Sequence, residues 1–121
     1  MRNFREYEVW QKGMLLSKEI YQATATFPTH ETFGLSSQMQ RAGVSIPLNI
    51  AEGAGRESAA DFAHFLDIAL GSAYEVETQL LIAESLGYLA SEDTSRLVAT
   101  TQSIQCQLST LIKKIRDKKL L

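Results

Sequence analysis

Apolar residues recur at steps of three and four along most of this sequence, and this spacing limits what the chain can fold into. A repeat of that length matches one face of an α-helix, whereas a strand alternates with a period of two. The pattern predicts four helical segments, over residues 9–27, 35–50, 62–83 and 97–115. No segment shows the strand period, so we expect an all-α protein.

The breaks between these segments carry residues that end or begin helices. Pro28 disfavours helical backbone at the residue before it, so the first helix is expected to end there. Ser58, three residues before an aspartate, forms a variant of the capping box that begins a helix. Gly87 suits a left-handed helix stop, and Ser91, followed by two acidic residues, is expected to begin the fourth helix.

The connections between the four segments are short, and short links force neighbouring helices to run in opposite directions. A chain of 121 residues has the length of one domain. The sequence therefore predicts a single domain over residues 1–121, folded as an antiparallel up-down-up-down four-helix bundle.

The second segment contains the run SIPLNIAEGAGR, at residues 45–56, with a proline inside a helical pattern. Pro47 removes one backbone donor and directs its ring at the carbonyl of Gly43, which has no Cβ to obstruct a bend. We therefore expect a proline-kinked second helix, with Ser45 and Asn49 placed to satisfy the freed backbone groups. The run lacks the lysine of a phosphate-binding loop and the third glycine of a dinucleotide fingerprint.

The charges are unevenly distributed along the chain. Residues 52–93 contain nine acidic side chains and one basic side chain, whereas residues 113–119 contain five basic side chains and one acidic side chain. The tail can attract a phosphate backbone that the middle of the chain would repel. Alternatively, the basic residues only complement the dipole of the last helix. The basic residues of the tail are Lys113, Lys114, Arg116, Lys118 and Lys119.

Five polar residues follow one face of the second helix at steps of four, four, three and four. This stripe is either a solvated face with ion pairs such as Glu52 with Arg56, or a surface that meets another subunit or a ligand. Serine and asparagine are poor helix formers, which favours specific hydrogen bonds. The members of the stripe are Arg41, Ser45, Asn49, Glu52 and Arg56.

No catalytic, metal or cofactor site is predicted. Asp61 and His64 are spaced like one element of a di-iron site, but the second element is missing and the pair is expected to be exposed. Cys106 has no nearby base to activate it. Trp10, near the amino terminus, is interpreted as a packing or interface residue. The sequence has no secretory signal and no membrane-spanning run, so we expect a cytoplasmic protein.

Several short motifs resemble the four-helix-bundle family encoded in intervening sequences of bacterial large-subunit ribosomal RNA genes. The resemblance extends over roughly residues 4–90, and its most distinctive part is the run SIPLNIAEG at residues 45–53. Gly13 departs from the family, where alanine or a larger residue is more usual. The resemblance implies a ring-shaped homopentamer, similar to the accessory proteins of diversity-generating retroelements, which bind nucleic acid and a reverse transcriptase.

Two functions are compatible with these features. The first is a non-enzymatic homo-oligomer that binds ribosomal or other structured RNA through the basic tail, with Arg41 and Arg56 contributing. The second is a protein-interaction scaffold or accessory subunit without direct nucleic-acid binding, in which the polar stripe and Trp10 contact subunits or a protein partner.

Overall fold

The computed structural model describes residues 2–120, with side chains described up to Lys118. Four helices account for most of this part: α1 (Glu8–Thr24), α2 (Leu35–Ala54), α3 (Ala59–Ser85) and α4 (Ser91–Leu120). No strand occurs within residues 2–120, so the predicted all-α class with four packed helices is confirmed. None of the helices in this part is long and apolar enough to cross a lipid bilayer.

The helix ends follow local chemistry, and one of them differs from the prediction. The hydroxyl of Ser58 accepts a hydrogen bond from the Asp61 amide at 3.0 Å, and this cap begins α3 as expected. Gly87 has φ +78, which allows the two backbone hydrogen bonds that close the end of α3. The first helix ends at Thr24, earlier than expected, yet Phe27 is buried in the core. An apolar residue in a turn can therefore extend the helical spacing beyond the helix itself.

Contacts between neighbouring helices occur in opposite order along the two partners. Along α1, Lys12 bonds to Ser103 and Glu19 pairs with Arg96, so the α4 numbers fall as the α1 numbers rise. Contacts between α1 and α2, and between α2 and α3, also occur in opposite order along the two helices. The start of the chain, the end of α2, the start of α3 and the end of α4 therefore meet at one end of the bundle. We call this the basal end, and the opposite end the distal end.

Pro47 lies within α2, and the carbonyl that it leaves unpaired is satisfied from another helix. The hydroxyl of Ser17 on α1 lies 2.9 Å from the Gly43 carbonyl oxygen and 3.0 Å from its own-helix carbonyl at Gly13. A serine hydroxyl has one proton, so it donates to one of these oxygens at a time. The expectation that Ser45 and Asn49 would perform this role was wrong. The bend predicted at Pro47 stays a prediction.

Gly13, the departure from the family pattern, lies where α1 approaches the proline. A Cβ at this position would be 3.2 Å from Ile46 Cγ2 and 3.3 Å from Pro47 Cδ, closer than most carbon atoms pack. The absence of a side chain therefore allows the two helices to approach closely around Pro47.

The distal end is closed by hydrogen bonds to one carboxylate. Glu31, in the turn before α2, accepts a hydrogen bond from the Leu35 amide at 3.1 Å and another from the Tyr88 hydroxyl at 2.9 Å. These bonds, the amide first, lower the pKa of Glu31 below its ordinary value of 4.5. Tyr88 also packs against Phe27, with ring centroids 5.4 Å apart, so the α1–α2 and α3–α4 connections are joined.

Because of Glu31, we expect the free energy of unfolding to depend on pH in the acidic range. A carboxylate with a lowered folded-state pKa stabilises the fold above its unfolded pKa, and this contribution is lost as pH falls through the folded pKa. Urea unfolding of the wild type should show a falling unfolding free energy below about pH 5. Glu31→Gln should flatten this fall, whereas Glu57→Gln, at an exposed carboxylate, should not. Equal pH profiles for Glu31→Gln and the wild type would contradict this role.

Candidate nucleic-acid interface

A groove with a volume of ≈ 440 Å³ opens at the basal end, and we call it the end groove. The last turns of α4 form one wall, because residues 111, 114, 115 and 118 recur at the helical spacing and share a face. The start of the chain and the start of α3 form the other walls. The lining residues are Arg2, Tyr7, Ala59, Phe62, Leu111, Lys114, Ile115 and Lys118.

The lining of the end groove combines cations with apolar surface. Arg2, Lys114 and Lys118 supply three positive charges, and no carboxylate lines the groove among the described residues. These three side chains make no salt bridge within the described part of the chain, so their charge is not neutralised there. Leu111 and Ile115 are half-buried and form the apolar base of the α4 wall, which we call the apolar floor. The groove is therefore suited to an anion that also carries an apolar or aromatic part.

Arg2 is held in place by two kinds of contact. Its guanidinium carbon lies 4.6 Å from the centroid of the Phe62 ring, which is a cation–π contact. Its Nη1 donates to the carbonyl oxygen of Arg56 at 2.6 Å and lies 3.5 Å from that of Ala54. Ala54 is the last residue of α2 and Arg56 lies two residues beyond it, at a helix end where carbonyl groups lack partners within the helix. Arg2 therefore closes the end of α2 while its charge faces the groove.

A second depression of ≈ 610 Å³ adjoins the end groove and shares Arg2 with it. Arg56 lines this depression, with its guanidinium 4.7 Å from the Phe65 ring centroid and its Nη2 3.2 Å from a carboxylate oxygen of Glu52. The predicted Glu52–Arg56 ion pair is thus present. Glu57 also lines the depression. The second depression is therefore less positive than the end groove.

The basic tail does not form one patch, because its side chains point to opposite sides of α4. Lys114 and Lys118 line the end groove. Arg116 pairs with Asp67 of α3, with Nη2 2.5 Å from Oδ2, and Lys113 lines a separate depression beside this pair. The side chain of Lys119 lies outside the described part of the chain. Two of the five predicted tail residues are therefore brought together with Arg2.

The polar stripe of α2 is divided between solvent and the neighbouring helix. Asn49 Nδ2 donates to the carbonyl oxygen of Ser45 at 2.8 Å and to its hydroxyl at 2.9 Å. The Ser72 hydroxyl of α3 also donates to the hydroxyl oxygen of Ser45, at 2.9 Å. These side chains therefore connect α2 to α3. Arg41 is exposed and lies fifteen residues before Arg56, about 22 Å along the helix, so it is remote from the basal end.

The remaining candidates have simple surroundings. Trp10 is half-buried and packs edge-on against Phe4 at 5.2 Å, as a packing residue would. Asp61 and His64 are both exposed, as expected. Within the described residues, no three histidine, cysteine or acidic side chains come together as metal ligands.

Arg2 was missed by the sequence interpretation, although a signal for it exists. In an up-down-up-down bundle, residues before the first helix lie at the same end as the last turns of the fourth. A cation at position 2 should therefore have been grouped with those of the tail. Its exact neighbours, Phe62 and the end of α2, depend on packing that spacing alone does not specify.

The comparisons with known proteins agree with this architecture. The sequence matches the family described as “23S rRNA-intervening sequence protein” over residues 5–110, so the cations of the last α4 turns lie beyond the matched range. The fold is similar to the crystal structure of a protein of unknown function from the S23 ribosomal protein family of Bacteroides thetaiotaomicron. That alignment has a TM-score of 0.79 and 30% identity, and covers 87% of this chain and 98% of the other. No curated protein matches the sequence. The chain belongs to the 23S rRNA-intervening sequence protein family.

Proposed function

We propose that this protein is a non-enzymatic, cytoplasmic homo-oligomer that binds structured RNA, with ribosomal RNA as the first candidate. The observation that supports RNA binding most directly is the convergence of Arg2, Lys114 and Lys118 around the end groove without a lining carboxylate. Phosphate contacts by lysine and arginine supply most of the affinity of proteins for nucleic acids. The family description refers to an intervening sequence of 23S rRNA, which makes that RNA the natural ligand to test.

The acidic character of the chain opposes this proposal only in part, because several carboxylates lie at the far end of the bundle and none lines the groove among the described residues. Glu84, Glu92 and Asp93 flank the α3–α4 connection, at the distal end. At the basal end, Glu52 and Asp67 are each bonded to an arginine, and the exposed side chains of Glu57, Asp61 and Asp117 do not line the groove. In a pentamer the three groove cations would recur as about 15 positive charges, enough for salt-sensitive binding of phosphates.

RNA binding is tested by titrating labelled fragments of 23S rRNA with the full chain at two salt concentrations. Micromolar or tighter binding is expected at low salt. If each site neutralises two or three phosphates, the slope of log affinity against log salt should be about −1.4 to −2.7. Absence of binding at low salt would contradict the proposal.

Assembly is supported by exposed apolar side chains on and beside α2, which we call the outer apolar face. Val44 and Leu48 lie on the solvent side of α2, and Leu48 is 60% exposed. Met14 follows Gly13, where an added Cβ would lie 3.3 Å from Pro47 Cδ, and Ile68 lies one turn from Ser72, which bonds to Ser45. The face therefore crosses three helices. Such surfaces commonly meet another subunit, and a second copy of this chain is the occupant that we propose.

A scaffold or accessory subunit without direct nucleic-acid binding is the alternative. The feature that favours it is Phe33 at the distal end, which is 96% exposed in the turn before α2 and lies apart from the outer apolar face. An aromatic side chain presented in this way is suited to a pocket on a protein partner. An intact oligomer that fails to bind RNA at low salt would support this alternative.

A further inference from the structure

We propose that the end groove holds one unpaired nucleotide from a loop or bulge of RNA, with its base on the apolar floor and the adjoining phosphates on Arg2, Lys114 and Lys118. This inference rests on the proposed binding of RNA and specifies which RNA structure the groove recognises.

The size of the groove limits what can enter it. A volume of ≈ 440 Å³ falls within the range of small-molecule sites, about 300–1,000 Å³. A double helix is far wider than such a groove, so only a nucleotide that has left the helical stack can reach the floor. Proteins that recognise specific RNA sequences commonly bind loops and bulges, because the bases there are already unstacked.

The lining chemistry matches the two parts of a nucleotide. Leu111 and Ile115 are half-buried at the floor, beside the half-buried ring of Tyr7, whose centroid lies 6.0 Å from that of Phe62. An apolar and aromatic surface accommodates a base, whereas the binding of a phosphate group alone does not require apolar surface. Phe62 itself is 2% exposed and lies under the Arg2 guanidinium, so the ring of Tyr7 is the accessible aromatic surface.

The cations are placed to hold the phosphates on either side of that base. Lys114 and Lys118 are separated by one helical turn, a rise of about 6 Å along α4. Arg2 lines the same groove from the start of the chain, and its planar guanidinium can donate two hydrogen bonds to one phosphate. A backbone that crosses the groove can therefore contact cations on both sides of the bound base.

The chain supplies a matched control for net charge. Lys113 lies on the other side of α4, and Lys18 is exposed on α1. Neither residue makes a salt bridge within the described residues. Lys113→Gln with Lys18→Gln therefore removes two charges away from the groove, as Lys114→Gln with Lys118→Gln removes two within it.

The experiment compares a labelled RNA hairpin carrying one bulged 2-aminopurine with the same hairpin fully paired, titrated by anisotropy at fixed salt. The wild type should bind the bulged hairpin at least tenfold more tightly, with a change in 2-aminopurine fluorescence on binding. The groove double variant should lose this preference and the fluorescence change. The control double variant should retain both.

Each other outcome is informative. Equal affinity for the two hairpins, or equal loss of preference in both double variants, would overturn the groove assignment while leaving general RNA binding intact. Failure of the wild type to bind either hairpin or the rRNA fragments at low salt would overturn the proposed function together with this inference.

Discussion

Gly53→Ala is expected to lower the free energy of unfolding by up to about 2 kcal/mol, because overpacking a core usually costs about 1–3 kcal/mol and the helix propensity of alanine offsets about 1 kcal/mol of that cost. A Cβ at this position would lie 2.7 Å from Phe65 Cβ and 3.2 Å from the Phe62 carbonyl oxygen. These atoms belong to or adjoin the backbone of α3, which cannot move aside without shifting that helix. The steric cost therefore exceeds the gain of about 1 kcal/mol that alanine brings to a helix. Urea unfolding measures the change.

Gly71→Ala provides the control, and its effect should have the opposite sign. Gly71 lies in the middle of α3, and an added Cβ would meet no atom within 4 Å. Only the helix propensity remains, so the unfolding free energy should rise by about 0.5–1 kcal/mol. Gly43→Ala should lie between the two, because its close neighbour is the flexible end of Ile20. Stabilisation by Gly53→Ala would show that α2 and α3 are not packed this closely.

Helix number and most helix ends could be predicted from the sequence because their causes are local. A hydroxyl at position 58 and a glycine at position 87 act through backbone groups a few residues away. The end of α1 was predicted at Phe27, three residues too late, because the prediction relied on the spacing of apolar residues. Phe27 continues the helical spacing but enters the core from a turn, and spacing alone does not separate a buried turn residue from a buried helical one.

The repair of the backbone at Pro47 was beyond local reasoning. The partner of the Gly43 carbonyl is Ser17, 26 residues earlier, and nothing in the spacing of α2 identifies it. The search for a partner within one turn therefore selected Ser45 and Asn49. Asn49 instead donates to the carbonyl and hydroxyl oxygens of Ser45, and the Ser45 hydroxyl oxygen also accepts from Ser72. Long-range hydrogen bonds of this kind depend on which faces of the helices meet.

Only part of the candidate interface could be predicted from the sequence, because the rest depends on which faces of the helices meet. The basic composition of the tail is visible in the sequence, but its division between two faces depends on the rotation of α4 against its neighbours. Asp67 attracts Arg116 to one side, while Lys114 and Lys118 meet Arg2 on the other. Counting charges therefore overstated the size of the patch and omitted one of its three groove cations.

Leu48→Glu is expected to dissociate the proposed oligomer, raising the dissociation constant of the subunit interface at least a hundredfold. Burying a leucine side chain contributes about 1.5–3 kcal/mol, and each 1.4 kcal/mol is a factor of ten in affinity. An unpaired carboxylate at a dry interface adds a desolvation cost to that loss. Light scattering after size-exclusion chromatography should show five subunits for the wild type and monomers for the variant. Circular dichroism should remain helical, because Leu48 is exposed within the subunit.

Leu15→Glu is the matched control for this prediction. Leu15 is 54% exposed, but it lies between Lys12 and Glu19, on the side of α1 that contacts α4. Its substitution should leave the oligomer intact, and dissociation by Leu15→Glu in place of Leu48→Glu would move the interface away from the outer apolar face. The Leu48→Glu monomer should also bind rRNA fragments more weakly than the wild type, although its end groove is unchanged, because linked sites bind a shared ligand more tightly than single ones.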